Sequence, residues 1–304
     1  MQKQFDITGA GEVLVELFDT GAGTYAQSVA GDVFNLLFYA SRLGLKTGFI
    51  SSFGDDHYTD DIYKLMEREG IDRSCTTRSE TKNNGLYLVR TDEAGEPHYT
   101  FWRKDSAARE TLRDIPLDKI ENYILSSRYF HFSAIALGML HEREKLISIL
   151  ERVHGKTTIS FDTNFRKAVW DDPDILREFL KRGASLIDTL FVSSSDDRNI
   201  FGQRSAEEAL RFYKGLGYER IIFRQGAGDV RVWDNGESLS VPAEKNVTVV
   251  DATAAGDAFN AGFINGVLSG TSVQEAVKQA NRCAAYVLHV RGALAQNFHM
   301  NKVM

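Results

Sequence analysis

Apolar residues along this chain follow two rhythms that take turns. Runs of strand length, rich in β-branched and aromatic residues, occur at Lys46 to Phe53, Tyr129 to Ile135, Thr157 to Phe161, Thr189 to Val192 and Arg220 to Phe223. Between them the apolar residues recur at helical spacing, at Leu36 to Leu43, at 60–69, and around 141–153, 172–183 and 205–215, as in helices that bury one face. Gly44 and Gly70 stand where the first two of these helices should stop. Strand and helix alternating at this spacing predict βαβ units. The fold class is therefore α/β, a central, mostly parallel sheet flanked by helices. No repeat, low-complexity tract or linker divides residues 1–304, so one domain is expected.

Two stretches break the rhythm. Residues 5–18 read as a strand that bends at Gly9 and Gly11, beside Glu12, and continues as a second strand. Gly9-Ala10-Gly11 lacks the third glycine of a dinucleotide-binding loop, and no helical period follows at once. Gly85 to Arg90 and His98 to Arg103 flank the turn residues 92–97, the pattern of a hairpin. Residues 11–25 and 83–103 together predict a small extra sheet that serves as a lid or a dimer surface. Its aromatics Tyr87, Phe101 and Trp102 either pack that surface or touch a ligand.

Composition narrows the partners. The 304 residues are 43% hydrophobic and 26% charged, with net charge −6, which argues against nucleic acid or an anionic membrane as partner. Apolar runs stay short of the roughly 18 residues of a membrane span, and Met1 to Asp6 lacks the apolar core of a signal peptide. Cys75 and Cys283 make neither a metal cluster nor a disulfide framework, so a cytoplasmic location is expected.

In open parallel sheets, ligands bind beyond the carboxyl ends of the strands. The residues there are Asp162-Thr163-Asn164-Phe165-Arg166, Ser193-Ser194-Ser195-Asp196-Asp197, Arg224-Gln225-Gly226 and residues 251–257 of the stretch Val249 to Gly262. In the last, a β-branched run reads as a strand leading through the small residues Ala254, Ala255 and Gly256 into a helix with Asp257 at its mouth. Backbone N–H groups at such a turn, with the helix dipole, suit a phosphate. A carboxylate there repels a bare anion but suits a general base that takes a proton from an attacking hydroxyl. Helix capping by Asp257 explains the same residues equally well. Ala30-Gly31-Asp32-Val33-Phe34-Asn35 is a second small-residue turn, where Asp32 and Asn35 either cap the helix or face a polyhydroxylated ligand.

Asp251 to Gly262 resembles the C-terminal signature of the PfkB, or ribokinase-like, carbohydrate kinases, and Ala30 to Asn35 resembles their N-terminal substrate turn. The resemblance covers essentially the whole chain and implies ATP-dependent phosphorylation of a sugar hydroxyl beneath a lid. Gly85-Leu86-Tyr87, Phe101-Trp102-Arg103 and Phe161 to Arg166 followed by Trp170 are similar to 2-keto-3-deoxygluconate kinases. The resemblance then implies sugar contacts from Gly31, Asp32, Asn35, Tyr87, Phe101 and Ile135, with Arg103 and Arg166 on the sugar-acid carboxylate. Guanidinium suits that role, because its planar fork matches a carboxylate in two bonds. It implies ATP with Mg2+ beside Ser193, Ser195, Arg224, Gly226, Gly256 and Asn281, a K+ site near Asp251 and Thr253, and a homo-oligomer joined through the lid. Asp257 would be the base, with N–H groups of Ala254, Ala255 and Gly256 as the anion hole.

The chain departs from the family at several positions. Ala254 stands where many members have glycine, and is expected at negative φ. Ser193 to Asp196 replaces an Asn-x-x-Glu motif, and Arg224-Gln225-Gly226 replaces a Lys-x-Gly or Thr-x-Gly. The alternatives are a fructokinase or other neutral-sugar kinase, a catalytically silent sugar- or nucleotide-binding protein, and a nicotinamide-dependent oxidoreductase, for which no complete fingerprint is present.

Overall fold

A computed structural model describes residues 3–21, 23–91 and 97–303. Thirteen strands are present among them: β1 (Phe5–Ala10), β2 (Leu14–Gly21), β3 (Thr24–Ala30), β4 (Thr47–Phe53), β5 (Ile71–Arg78), β6 (Gly85–Thr91), β7 (Pro97–Trp102), β8 (Ser127–Ser133), β9 (Thr158–Asp162), β10 (Thr189–Ser193), β11 (Arg220–Arg224), β12 (Val230–Asp234) and β13 (Glu237–Val241). Nine of them form one sheet in the order β13-β12-β11-β10-β9-β8-β1-β4-β5. From β11 to β5 every pairing is parallel, while β12 and β13 close one edge as antiparallel strands.

Side chains alternate across this sheet as the two-residue strand period demands. Ile7, Phe49, Phe191 and Ile222 enter one buried layer with the helices Asp32–Arg42, Ala255–Leu268 and Val273–Leu288. Ala10, Ile50, Leu190 and Ile221 enter the other, beneath the helices Arg143–Val153, Pro173–Arg182 and Ala206–Leu216. The result is a three-layer α/β/α body. Local signals set helix ends: Ser205 and Glu208 form a capping box at the start of Ala206–Leu216, and Gly217 ends it at φ 101°.

The remaining four strands build a second sheet in the order β3-β2-β6-β7. Two antiparallel pairs, β2 with β3 and β6 with β7, meet through a parallel pairing of β2 with β6. This is the small sheet expected from residues 11–25 and 83–103, enlarged by β3. Of the turn expected at 92–97, residues 92–96 lie outside the described residues.

One expected strand is absent. Val249 and Val250 belong to no strand and are 62% and 51% exposed, because the sheet already ends at β13. They form a loop tied down by Val250 N–H, which donates to Leu288 O at 2.7 Å. The helix that follows, Ala255–Leu268, is buried on nearly every side from Ala258 to Gly266. Gly262 and Gly266 let it lie close against Val273–Leu288, since a Cβ on either would come within 2.9 Å of an Ala280 or Ala276 Cα. That packing fixes where Asp257 emerges.

Candidate functional site

The parallel strands β9, β10 and β11 end side by side in Asp162, Ser193 and Arg224. Asp162 is buried, and the two oxygens of its carboxylate accept Arg224 Nη2 at 2.8 and 3.0 Å. Asn260 Nδ2 donates to Asp162 Oδ2 at 2.6 Å. Arg224 Nη1 donates to Gly256 O and to Asn260 Oδ1, each at 3.1 Å. The guanidinium thus pins the first turn of helix Ala255–Leu268 to the sheet. A Cβ on residue 256 would stand 3.0 Å from Arg224 Nη1, so glycine gives the arginine its place.

Asn35 Nδ2 donates to Asp257 Oδ2 at 2.8 Å, joining residues 222 apart in sequence, and Asn35 Oδ1 accepts Gly31 N–H at 3.2 Å. Asp32 accepts its own helix's Val33 N–H and, at 2.9 Å, Asn164 Nδ2. The two turns singled out in the sequence therefore meet. Gly31 approaches the backbone closely, for a Cβ there would lie 1.9 Å from Glu12 O. Burial first, then the negative charges of Asp32 and Asp162, hold the Asp257 carboxyl well above the usual carboxylate range, against the pull of Asn35 N–H and the Arg224 charge. A carboxylate so placed is a stronger proton acceptor than an exposed one. Below the sheet edge His131 is buried, bonded through Nδ1 to Ser160 Oγ at 2.9 Å, and desolvation lowers its pKa to about 4.

Ala254 stands in the left-handed region at φ 61°, contrary to the negative φ expected. The loop must reverse direction between Asp251 and the helix, and the following helix starts from that turn, with Ala258 N–H donating to Ala254 O at 2.9 Å. Such a conformation costs a non-glycine residue about 1–2 kcal/mol. Ala255 N–H makes a long 3.4 Å bond back to Ala252 O. Asp251 ties the loop to its neighbour by accepting Thr253 N–H at 2.8 Å and Gly292 N–H at 2.9 Å.

The remaining expected residues divide. Tyr87 is buried and its hydroxyl donates to Glu16, with the Phe101 ring 5.4 Å away. Desolvation raises the Glu16 carboxyl above its ordinary range. Arg103 is ion-paired with buried Glu12 at 2.5 Å. Arg166 is open, its side chain 55% exposed and Nη1 3.8 Å from Asp196. Ile135 lies half-buried in the helix that follows β8. Ser193 caps the helix Ser194–Phe201, its Oγ accepting Asp196 N–H at 3.0 Å, and it also meets Ser195 Oγ at 2.9 Å. Asp196 is buried, which together with Asp162 raises its carboxyl. Gly226 turns at φ 61°, with nothing within 4 Å of a would-be Cβ. Asn281 donates to Pro242 O at 2.9 Å. Thr253 Oγ1 faces Tyr99 OH of β7 at 3.3 Å.

Glu16, His131 and Asn260 lie in this network beyond the residues the sequence singled out, while Glu12, Asp162 and Asn164 were named there without an assigned role. Asp162 and Asn164 had a signal, their place just after a strand. Asn260 had a weaker one, an amide within a largely apolar helix that also carries Asn265. Among the described residues, no group of three or more His, Cys, Asp or Glu side chains could hold a metal ion, and no helix is long and apolar enough to cross a membrane.

The family model described as pfkB family carbohydrate kinase matches residues 16–298. The 2-dehydro-3-deoxygluconokinase of Dickeya dadantii (strain 3937) is 31% identical over 295 residues, covering 93% of this chain and 94% of that protein. Its counterpart in Escherichia coli (strain K12) is 30% identical over 295 residues, covering 93% and 95%. The crystal structure of a PfkB protein from Polaromonas sp. JS666 superposes with a TM-score of 0.83 at 25% identity over 98% of both chains.

Proposed function

The chain belongs to the pfkB family of carbohydrate kinases, phosphotransferases with an alcohol group as acceptor, and from that premise we propose that it phosphorylates 2-dehydro-3-deoxygluconate at its terminal hydroxyl, using ATP as the magnesium complex. The observation that carries this reading is the 2.8 Å bond from Asn35 to Asp257, which joins the sugar turn to the phosphate turn. In the transfer, the hydroxyl oxygen bonds to the γ-phosphorus as the bond to the ADP oxygen breaks, and the proton passes to Asp257. The raised proton affinity of Asp257 suits it to that acceptance. N–H groups of Ala254, Ala255 and Gly256, with the helix dipole, offset the charge on the moving phosphoryl group. Arg224 adds its charge behind Gly256, where it already holds the carbonyl.

Gly31, Asp32, Asn35, Tyr87, Phe101 and Ile135 surround the sugar in this reading, with Arg103 and Arg166 at its carboxylate. Ser193, Ser195, Arg224, Gly226, Gly256 and Asn281 contact the nucleotide in the same reading, which the exposed turn at Gly226 supports by leaving its backbone accessible. The same reading includes a monovalent cation at Asp251 and Thr253, since each Asp251 oxygen keeps a lone pair after accepting its N–H; dependence of rate on KCl at constant ionic strength tests it. A neutral-sugar kinase is the second reading, favoured by the ion pair that already occupies Arg103.

An ADP-release assay over sugar acids and neutral sugars separates the two. The sugar acid should give the highest kcat/KM, and preference for fructose would transfer the assignment to the second reading. Asp257→Asn should bind sugar with normal affinity yet turn over slower by several orders of magnitude, and near-normal turnover would remove Asp257 as the base.

A further inference from the structure

Three separate pieces of chain converge on Glu12, a residue 3% exposed between β1 and β2. Its Oε2 lies 2.5 Å from Arg103 Nη2, just past the end of β7. Its Oε1 accepts Ser106 Oγ at 2.5 Å. Its backbone oxygen occupies the space where residue 31 would carry a Cβ, 1.9 Å away. At the start of β6 a Cβ on residue 85 would stand 2.8 Å from Glu12 Oε1 and 3.2 Å from Arg103 Cβ, so that position is also cleared for the pair. Arg103 is 12% exposed, whereas Arg166 keeps 55% of its side chain in solvent.

Resting on the sugar-acid reading above, we propose that Glu12 is a positioning residue, whose side chain by its reach aims Arg103 at the substrate carboxylate. Arg103 then acts as an oriented donor whose charge is largely met by Glu12. Arg166, loosely held, supplies the unspent positive charge. A buried guanidinium with five donors and one partner carboxylate, its Nη2 also 3.9 Å from Met139 Sδ and its Cζ 5.7 Å from the centre of the Phe101 ring, still has N–H groups to offer, and the charged contact to Glu12 is the strongest restraint on their direction. Freed, it keeps its charge and loses its aim.

Two conservative variants separate reach from charge. Glu12→Asp keeps the carboxylate and shortens it by one methylene, out of range of Arg103. Glu12→Gln keeps the length, with an oxygen for Arg103 and an amide that donates to Ser106 Oγ. Positioning predicts that Glu12→Asp raises KM for the sugar acid about tenfold, the loss of one bond to a charged group, with kcat, KM for ATP and KM for a neutral sugar little changed. Glu12→Gln should restore most of that loss. The reverse ranking, with Glu12→Gln the more damaged, would show that only charge matters and overturn the proposal. Equal effects on acid and neutral sugars in both variants would overturn it as well, leaving Glu12 a plain structural residue. Arg103→Ala is the control for the underlying reading. If it fails to discriminate acid from neutral sugar, the carboxylate assignment itself falls; if it discriminates and Glu12→Asp does not, the positioning proposal falls alone.

Discussion

His131 offers a quantitative test of how dry the floor of the site is. The imidazole is buried beneath Asp162 and Asp32, bonded to Ser160, and its pKa falls from 6.5 to about 4, mainly through desolvation. Folding therefore favours the neutral ring. Above pH 6.5 neither the folded nor the unfolded chain protonates it, and its contribution is whole; as pH falls from 6.5 toward 4 the unfolded chain binds a proton that the folded chain refuses, and stability drains away. A shift of 6.5 to 4 corresponds to about 3 kcal/mol at 1.36 kcal/mol per unit. The buried carboxyls of Asp257, Asp196 and Glu16, all raised, work in the opposite sense over the acid range. A difference measurement isolates the histidine. In His131→Asn the amide oxygen or nitrogen replaces Nδ1 toward Ser160 without titrating. Urea unfolding followed by tryptophan fluorescence, at constant ionic strength from pH 7.5 to 4, gives both stability curves. The variant should be less stable at pH 7.5 because of the lost ring volume, and the gap should close by about 3 kcal/mol toward pH 4. Parallel curves would refute the reasoning, for they would mean that the folded protein protonates His131 as readily as the unfolded chain.

Further tests follow from the same network. Asp162→Asn leaves the Arg224 guanidinium buried beside a neutral partner, so stability should fall by about 3 kcal/mol and turnover with it; an unchanged unfolding midpoint would show that the pair contributes nothing. Ala254→Gly removes the left-handed strain at φ 61° while adding freedom to the unfolded chain, a net gain of about 1 kcal/mol or less, or about 2 °C in Tm. A lower Tm with unchanged kcat would show that Ala254 is not strained.

Sequence rhythm alone carried most of the central sheet. β1, β4 and β8 to β11 are long enough and apolar enough to be read one after another, and the helices between them show a single buried face. The edges were harder. β5 buries Ile71 and Cys75, four apart, and its pairing with β4 shifts register between Gly48 and Ile50, so its two-residue period is broken. β3 is half exposed and takes its order from backbone pairing with β2. The hairpin of β12 and β13 went unread, although Asn235-Gly236 between two short runs is a hairpin signal. Val249-Val250 shows the opposite failure, a strand-like composition with no neighbouring edge to pair with.

What the sequence by itself determined is the α/β order of elements and the chemistry available at the strand ends, because periodicity and residue type are local properties. It placed Gly31, Asn35 and Asp257 in two separate turns. Only the tertiary structure brought those turns into one hydrogen bond, because helix Ala255–Leu268 packs beside helix Asp32–Arg42 through contacts made by residues far apart in the chain. Only the fold, likewise, decided that the two arginines differ, since Glu12 lies 91 residues before Arg103 in the sequence and 2.5 Å from it in space. Burial and long-range pairing, which no local pattern encodes, turn a list of polar residues into an ordered site.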